Sequence, residues 1–85
     1  MVLAVRIGFI GAGTIAAAHL VRMLRIPGAD VVALCDLNDE QIEATRAKVN
    51  QTAASQSIER TLDAAVYTDY RTMPKNERLD AVYVC

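Results

Sequence analysis

A charge excess of either sign is missing from this sequence: nine Lys and Arg stand against ten Asp and Glu, for a formal net charge of -1 at pH 7 and a pI near 5.7. Nucleic acids and anionic membranes are gripped by basic faces, so neither is an expected partner, and a small molecule is. Metal-ligating residues are scarce as well. One His and two Cys occur at no interval that builds a zinc site. Cys35 and Cys85 each close an apolar, strand-like run and are expected to behave as small buried hydrophobes. Cysteines used in this way fit a reducing, cytoplasmic setting. No apolar run approaches the ~18–20 residues of a membrane-spanning helix, and there is no internal repeat and no low-complexity linker. The 85 residues fall below the usual domain length of ~100–150, which leaves room for one core at most.

What is present is an ordered unit from Val5 to Asp36. Val5-Arg6-Ile7-Gly8-Phe9-Ile10 reads as a strand, Gly11-Ala12-Gly13-Thr14-Ile15-Ala16 as a glycine turn opening a helix, and Val31-Val32-Ala33-Leu34-Cys35 as a second strand that ends in Asp36. A G-x-G-x-x-G/A pattern alone is a weak signal; with a strand before it, a helix after it and an acid downstream it points to a dinucleotide-binding βαβ unit. Gly11 allows the tight turn out of the strand, Gly13 lets the backbone approach a pyrophosphate, and Ala16 keeps the helix close to the strand. The helix starting near Thr14 offers unpaired N–H groups and the positive end of its dipole to phosphates, so no basic cluster is required. Asp36 stands 25 residues after Gly11, near the ~20-residue spacing of a carboxylate that binds the adenosine ribose. Leu37, Asn38, Asp39 and Glu40 bring no cation to accept a 2′-phosphate, which favours NAD over NADP. The competing reading of Asp36 is an acid that caps the next helix.

The same N-terminal stretch also imitates a secretory signal, with Arg6 ahead of an apolar run and Ala16-Ala17-Ala18 as a cleavage site. The glycines that dilute the run and the βαβ logic that continues past it favour the first reading. Downstream of the turn, Ile15, Leu20, Val21 and Leu24 recur at helical spacing and are expected to face the core, with Arg22 and Arg25 in water near the helix end and a stop at Pro27-Gly28. A second helix is predicted to open at Asn38 as N-cap, with Asp39 and Glu40 in its first turn and Gln41 in a capping exchange, and to fray between Asn50 and Ser57. Ala65-Val66-Tyr67 reads as a short third strand. Tyr70 to Glu77 reads as a helical turn interrupted by Pro74, and Asp80 to Cys85 as a parallel strand covered on both faces. Right-handed crossovers give an α/β, doubly wound parallel sheet of about four strands in the order 3-2-1-4. Strand four then forms an open apolar edge, a surface for self-association, and residues 1-85 are expected to be the N-terminal part of a dinucleotide-binding domain, the remainder of that domain and a second domain being absent.

The text Val-Arg-Ile-Gly-Phe-Ile-Gly-Ala-Gly-Thr-Ile-Ala-Ala-Ala-His at Val5 to His19 resembles the opening of the Gfo/Idh/MocA oxidoreductases. The likeness continues through Val32 to Asp36, Tyr67-Thr68-Asp69-Tyr70 and Leu79 to Val84. This resemblance implies a Rossmann-like nicotinamide-nucleotide domain of a two-domain enzyme that exchanges hydride with sugars, inositols or related polyols. It places Gly11, Gly13, Thr14 and Ile15 along the pyrophosphate and nicotinamide, and Asp36 and Leu37 against the adenosine. In the family, a Thr-Pro loop, a Glu-Lys-Pro motif with its catalytic lysine and a catalytic histidine all follow strand four, so their places lie beyond Cys85. His19 occupies a first-helix position where the family often carries histidine, and it is expected to be packed rather than to shuttle protons. The sequence contains no general base beside an acceptor site.

Two functional readings follow. In one, the chain is half of the cofactor site of an NAD-dependent oxidoreductase and shows no turnover alone, its small-molecule substrate being met only in the full-length parent. In the other it is a non-catalytic NAD-sensing module that docks through the open edge. A third use of the turn, for FAD or S-adenosylmethionine, fits the resemblance less well.

Overall fold

The computed structural model describes residues 4–11 and 13–85; Ala12, the middle of the glycine turn, lies outside them, and Thr14 is described by its backbone alone. The chain runs β1 (Val5–Ile10), α1 (Thr14–Leu24), β2 (Ala29–Cys35), α2 (Asp39–Ser55), β3 (Ala65–Tyr67), α3 (Met73–Asn76) and β4 (Ala81–Val84). The strands form one sheet in the order β3-β2-β1-β4, with every pair parallel. This is the Rossmann-like α/β arrangement expected from the sequence. Because the chain moves outward through β1, β2 and β3 and then returns to the other side of β1, the order reverses between β1 and β4, and a crevice opens there at the carboxyl ends of the strands.

The sheet has two unequal faces. On one, Ile7, Phe9, Val31 and Leu34 pack with Ala16, Ala17, Leu20 and Leu24 of α1 and Ile42, Val49 and Ala53 of α2. Phe9 is fully buried and stacks on Tyr83, with ring centroids 5.1 Å apart, so β4 is held by an aromatic pair as well as by its ladder. On the other face a smaller cluster joins Ala33, Cys35 and Met73 with Ile10, Val32, Tyr67 and Leu79. Gly8 belongs to this side: a Cβ there would come within 2.9 Å of Leu79 Cδ1 and 3.0 Å of Met73 Cε, so the Leu79 and Met73 side-chain tips occupy the space a side chain at this position would take. The pairing of β1 with β2 skips Val32. This bulge places Val32 and Ala33 together in the smaller cluster while Leu34 returns to the larger one.

Five local expectations are corrected. Ile15 does not join the core; it is 71% exposed, and Ala16, Ala17 and Met23 supply the buried stripe with Leu20 and Leu24. Pro74 does not interrupt a helical turn. It sits in the first turn of α3, where its missing N–H costs nothing and its fixed φ suits the helix. Cys35 is buried as expected, but Cys85 is exposed. Val82, Tyr83 and Val84 are also exposed, so among the described residues β4 lacks the cover on both faces that its apolar run predicts and is the open edge that the strand order predicts. The second strand begins at Ala29, two residues before Val31, because Ala29 and Asp30 pair with Val5 and Arg6. No described helix is long and apolar enough to cross a membrane.

Candidate functional site

The glycine turn is fixed by the strand ends around it. Gly11 has φ +96, a conformation that costs a residue with a side chain about 1–3 kcal/mol. Its N–H donates to the Cys35 carbonyl at 2.7 Å, which extends the β1–β2 ladder one step beyond the strands. On the other side the Cys85 N–H donates to the Ile10 carbonyl at 2.9 Å. A Cβ on Gly11 would lie 2.6 Å from the Cys85 carbonyl oxygen, so two backbones meet here at a distance only glycine permits.

Gly13 is the N-cap of α1, in an extended conformation (φ -89, ψ -165), with no side-chain cap and no acid in the first helical turn. Its carbonyl accepts from Ala17 N–H at 3.0 Å, so the helix starts cleanly. The N–H groups of that first turn have no intrahelical partner, and the positive end of the helix dipole is not offset by any carboxylate of the turn. Among the described residues, a Cβ on Gly13 would meet Gln41 Nε2, at 3.4 Å, and the Gln41 amide is the side-chain neighbour of the helix start. This is the chemistry that receives a diphosphate, and the residues present fit a dinucleotide.

Asp36 follows β2 directly. Its N–H donates to the Tyr67 carbonyl at 3.1 Å, and its Oδ1 accepts from Asn38 N–H at 3.1 Å, a local turn that holds the carboxylate at the strand ends. A shallow cleft of about 190 Å³ is lined by Ile10, Gly11, Asp36, Leu37, Thr68 and Tyr70, with Cys35 at its floor. On the other side of the turn a second cleft, of about 320 Å³, is lined by Gly13, Ile15, Ala16 and Cys85. Sequence-derived site residues are thus distributed on both sides of one turn: Gly11, Asp36 and Leu37 in the first cleft, Gly13 and Ile15 in the second. The exposure of Ile15, anomalous for a core residue, gives that second cleft an apolar wall. His19 is half-buried on α1 and lines neither cleft. A separate, roomier groove of about 470 Å³ lies between α1 and α2, among Val21, Arg22, Arg25, Lys48 and Thr52.

The surrounding electrostatics are set by carboxylates. Burial first, and then the negative charges of Asp36 and Asp69, push the Cys35 thiol up, so this cysteine is disfavoured as a thiolate nucleophile. Asp69 accepts from Arg71 at the backbone N–H (2.9 Å) and at Nε and Nη2 (3.1 and 3.2 Å), and the Arg71 guanidinium holds the Asp69 carboxyl below its ordinary value. Tyr67 donates to Glu77 Oε1 at 3.0 Å while Arg6 Nη2 meets Glu77 Oε2 at 3.3 Å. Partial burial and then the Glu77 contact raise the Tyr67 hydroxyl. That chain of contacts ties the segment after β3 to β1. Among the described residues no group of three or more His, Cys, Asp or Glu is placed to hold a metal ion.

Sequence reasoning missed Thr68 and Tyr70 as lining residues and Gln41 as a neighbour of the turn. The Tyr67-Thr68-Asp69-Tyr70 run was visible, but only the β3–β2 pairing and the Asp36 N–H to Tyr67 carbonyl bond bring it beside Asp36.

Comparison with known proteins agrees with this geometry. The family model of oxidoreductases with an NAD-binding Rossmann fold (GFO_IDH_MocA) matches residues 5–85. Glycosyl hydrolase family 109 protein 4 of Phocaeicola vulgatus is 31% identical over 83 residues, which is 94% of this chain and 15% of that protein. Glycosyl hydrolase family 109 protein 1 of Akkermansia muciniphila is 31% identical over 85 residues, 95% of this chain and 16% of that protein. Among solved structures, myo-inositol dehydrogenase from Lactobacillus casei, in complex with NAD(H) and myo-inositol, matches with a TM-score of 0.76 and 31% identity over 98% of this chain and 22% of that one. Scyllo-inositol dehydrogenase from the same organism matches in fold, with a TM-score of 0.70 and 17% identity, over 95% of this chain and 21% of that one. The chain therefore spans between about a seventh and a fifth of the length of these relatives. Strand order, glycine turn and family match agree, and the chain belongs to the Gfo/Idh/MocA oxidoreductases, within their NAD-binding Rossmann fold.

Proposed function

We propose that this chain is the N-terminal part of a dinucleotide-binding domain in an oxidoreductase that moves hydride between NAD and a sugar, inositol or related polyol, the rest of the domain and the substrate domain lying outside this sequence. The observation that carries the reading is the uncapped start of α1 behind Gly11 and Gly13 with Asp36 across the same strand ends. The N–H groups after Gly13, including those of Thr14 and Ile15, hold the diphosphate, Asp36 accepts from the adenosine ribose hydroxyls, and Leu37 meets the adenosine. Ile15 walls the cleft on the nicotinamide side. NAD, when bound, supplies the hydride acceptor; the protein's part is to orient it and exclude water. The relative solved with myo-inositol and those named as glycosyl hydrolases support a ring polyol or sugar as the substrate class.

NAD is favoured over NADP because the residues after Asp36 include no cation before Arg46, whose guanidinium donates to the Ala64 carbonyl, and Arg71, in the segment after β3, is engaged by Asp69. A 2′-phosphate would meet the Asp36 carboxylate with nothing to offset the repulsion. Calorimetric titration of the chain with NAD and NADP tests the reading: NAD binds more tightly, and Asp36→Ala loses that affinity. Equal affinity of the parent chain and of Asp36→Ala for NAD would remove Asp36 from the site. The uncovered β4 edge supports a second reading, a docking or NAD-sensing module that associates through Val82 to Val84. Concentration-dependent elution in size-exclusion chromatography together with tight NAD binding by the isolated chain would favour it over the half-site.

A further inference from the structure

The groove of about 470 Å³ between α1 and α2 lies outside both clefts of the glycine turn, and its walls carry charge of one sign: Arg22 and Arg25 stand on the α1 side, Lys48 on the α2 side, and no described carboxylate lines it. The sequence makes this deliberate, since no Asp or Glu occurs from residue 1 to 29 or from 44 to 58, in a chain whose net charge is -1. Arg22 and Arg25 near the end of α1 complement its dipole, but Lys48 lies in the interior of α2, whose last turn contains no base. The Arg25 guanidinium donates to the Gln56 side-chain oxygen, a neutral partner, and among the described residues the ion pairs are made by Arg6, Arg46 and Arg71. The floor between the walls is apolar, with Ala17 and Val49 buried and Val21 partly so. Gln56, which anchors Arg25, lies eight residues beyond Lys48, about 12 Å along the helix. A single carboxylate does not serve cations spread over that length; a segment carrying several does.

We propose that this groove is the docking site for an acidic peptide segment of a partner protein, an amphipathic helix whose aliphatic side chains rest on Val21 and Val49 while its carboxylates meet Arg22, Arg25 and Lys48. A helix laid in such a groove buries its apolar face and keeps its polar flanks at the rim, where opposite charge selects the partner and fixes its direction. The site is separate from the clefts around the glycine turn and does not rest on the reading of those clefts.

The probe is a fluorescein-labelled helical peptide with Leu along one face and Glu on both flanks, titrated into the full chain and read by anisotropy. It is expected to bind, and to bind more weakly as salt is raised. The same peptide with Lys in place of Glu is expected not to bind, and with Ser in place of Leu to bind less tightly. Lys48→Glu and Arg22→Glu are each expected to weaken the Glu peptide by about tenfold with the fold retained by circular dichroism, Lys48→Gln to weaken it less, and Lys48→Arg to keep the affinity. No binding of the Glu peptide, equal binding of either control peptide, or parental affinity in both Lys48→Glu and Arg22→Glu overturns the docking site. Octanoate that binds the groove as tightly as the peptide overturns it as well, because one carboxylate would then suffice.

Discussion

The two long helices start a few residues beyond the ends of neighbouring parallel strands, yet their first turns are built in opposite ways. At α2, the Asn38 side chain accepts from Gln41 N–H at 3.2 Å, and Asp39 and Glu40 stand in the first turn. That helix therefore satisfies one of its own first-turn donors and offsets its own dipole. At α1 the N-cap is Gly13, with no side chain to offer and no acid in the turn. The sequence spends good capping residues on one helix and withholds them from the other. What α2 takes from itself, α1 leaves, on the proposed reading, for the diphosphate of the cofactor. The contrast separates a helix start capped by its own side chains from one that the proposed function assigns to binding.

Breaking the contrast at its root has the largest effect. Gly11→Val forces a branched side chain into φ +96 and against the Cys85 carbonyl; it is expected to cost on the order of 3 kcal/mol or more, read as a lowered urea midpoint together with lost NAD binding. A midpoint equal to that of the parent chain would refute the account of the turn. Next comes a substitution that gives α1 the cap of α2. Gly13→Asp fits the backbone, since φ there is -89, and should stabilise the fold by about 0.3–1 kcal/mol while weakening NAD by about a hundredfold or more through charge repulsion at the helix start. Stability and affinity moving in opposite directions is the signature, and thermal melts beside calorimetry reveal it. Asp36→Ala is expected to cost about 1.5–3 kcal/mol of NAD affinity per lost hydrogen bond and to narrow the preference over NADP, as competition titration would show. The smallest change is the converse experiment: Asn38→Ala removes the α2 cap at a cost of about 1 kcal/mol of stability, with NAD affinity retained. A parallel loss of affinity would mean that the two helix starts are not independent.

The features that proved legible in the sequence are those governed by local rules. The strand–turn–helix order around Gly11, the Asn38 cap and the β3-β2-β1-β4 order follow from glycine, capping and crossover chemistry that operate within a few residues or are fixed by handedness. Ile15 shows where periodicity fails: at the start of a helix that faces a crevice, an apolar residue at core spacing can line a cleft instead. Pro74 departs from its expected role because a proline within a helical window marks a beginning as readily as a break. Leu62, Ala64 and Met73 are buried from irregular or very short segments, where no period exists to announce them. Asn50 fixes one of these segments by exchanging bonds with Leu62 N–H (2.6 Å) and the Leu62 carbonyl (3.2 Å), a pairing that spans 12 residues. Tyr70 reaches the Asp36 cleft only through the β2–β3 register, a long-range fact that its own surroundings in the sequence do not encode.

The claim that the uncapped start of α1 receives the diphosphate is tested most directly by amide NMR of the chain titrated with NAD. The account predicts that the largest shifts fall on the N–H groups of Gly13, Ile15 and Ala16, with a second set at Asp36 and Leu37. Shifts confined to the groove between α1 and α2, at Val21, Arg25, Lys48 and Thr52, with the glycine turn unmoved, would contradict it.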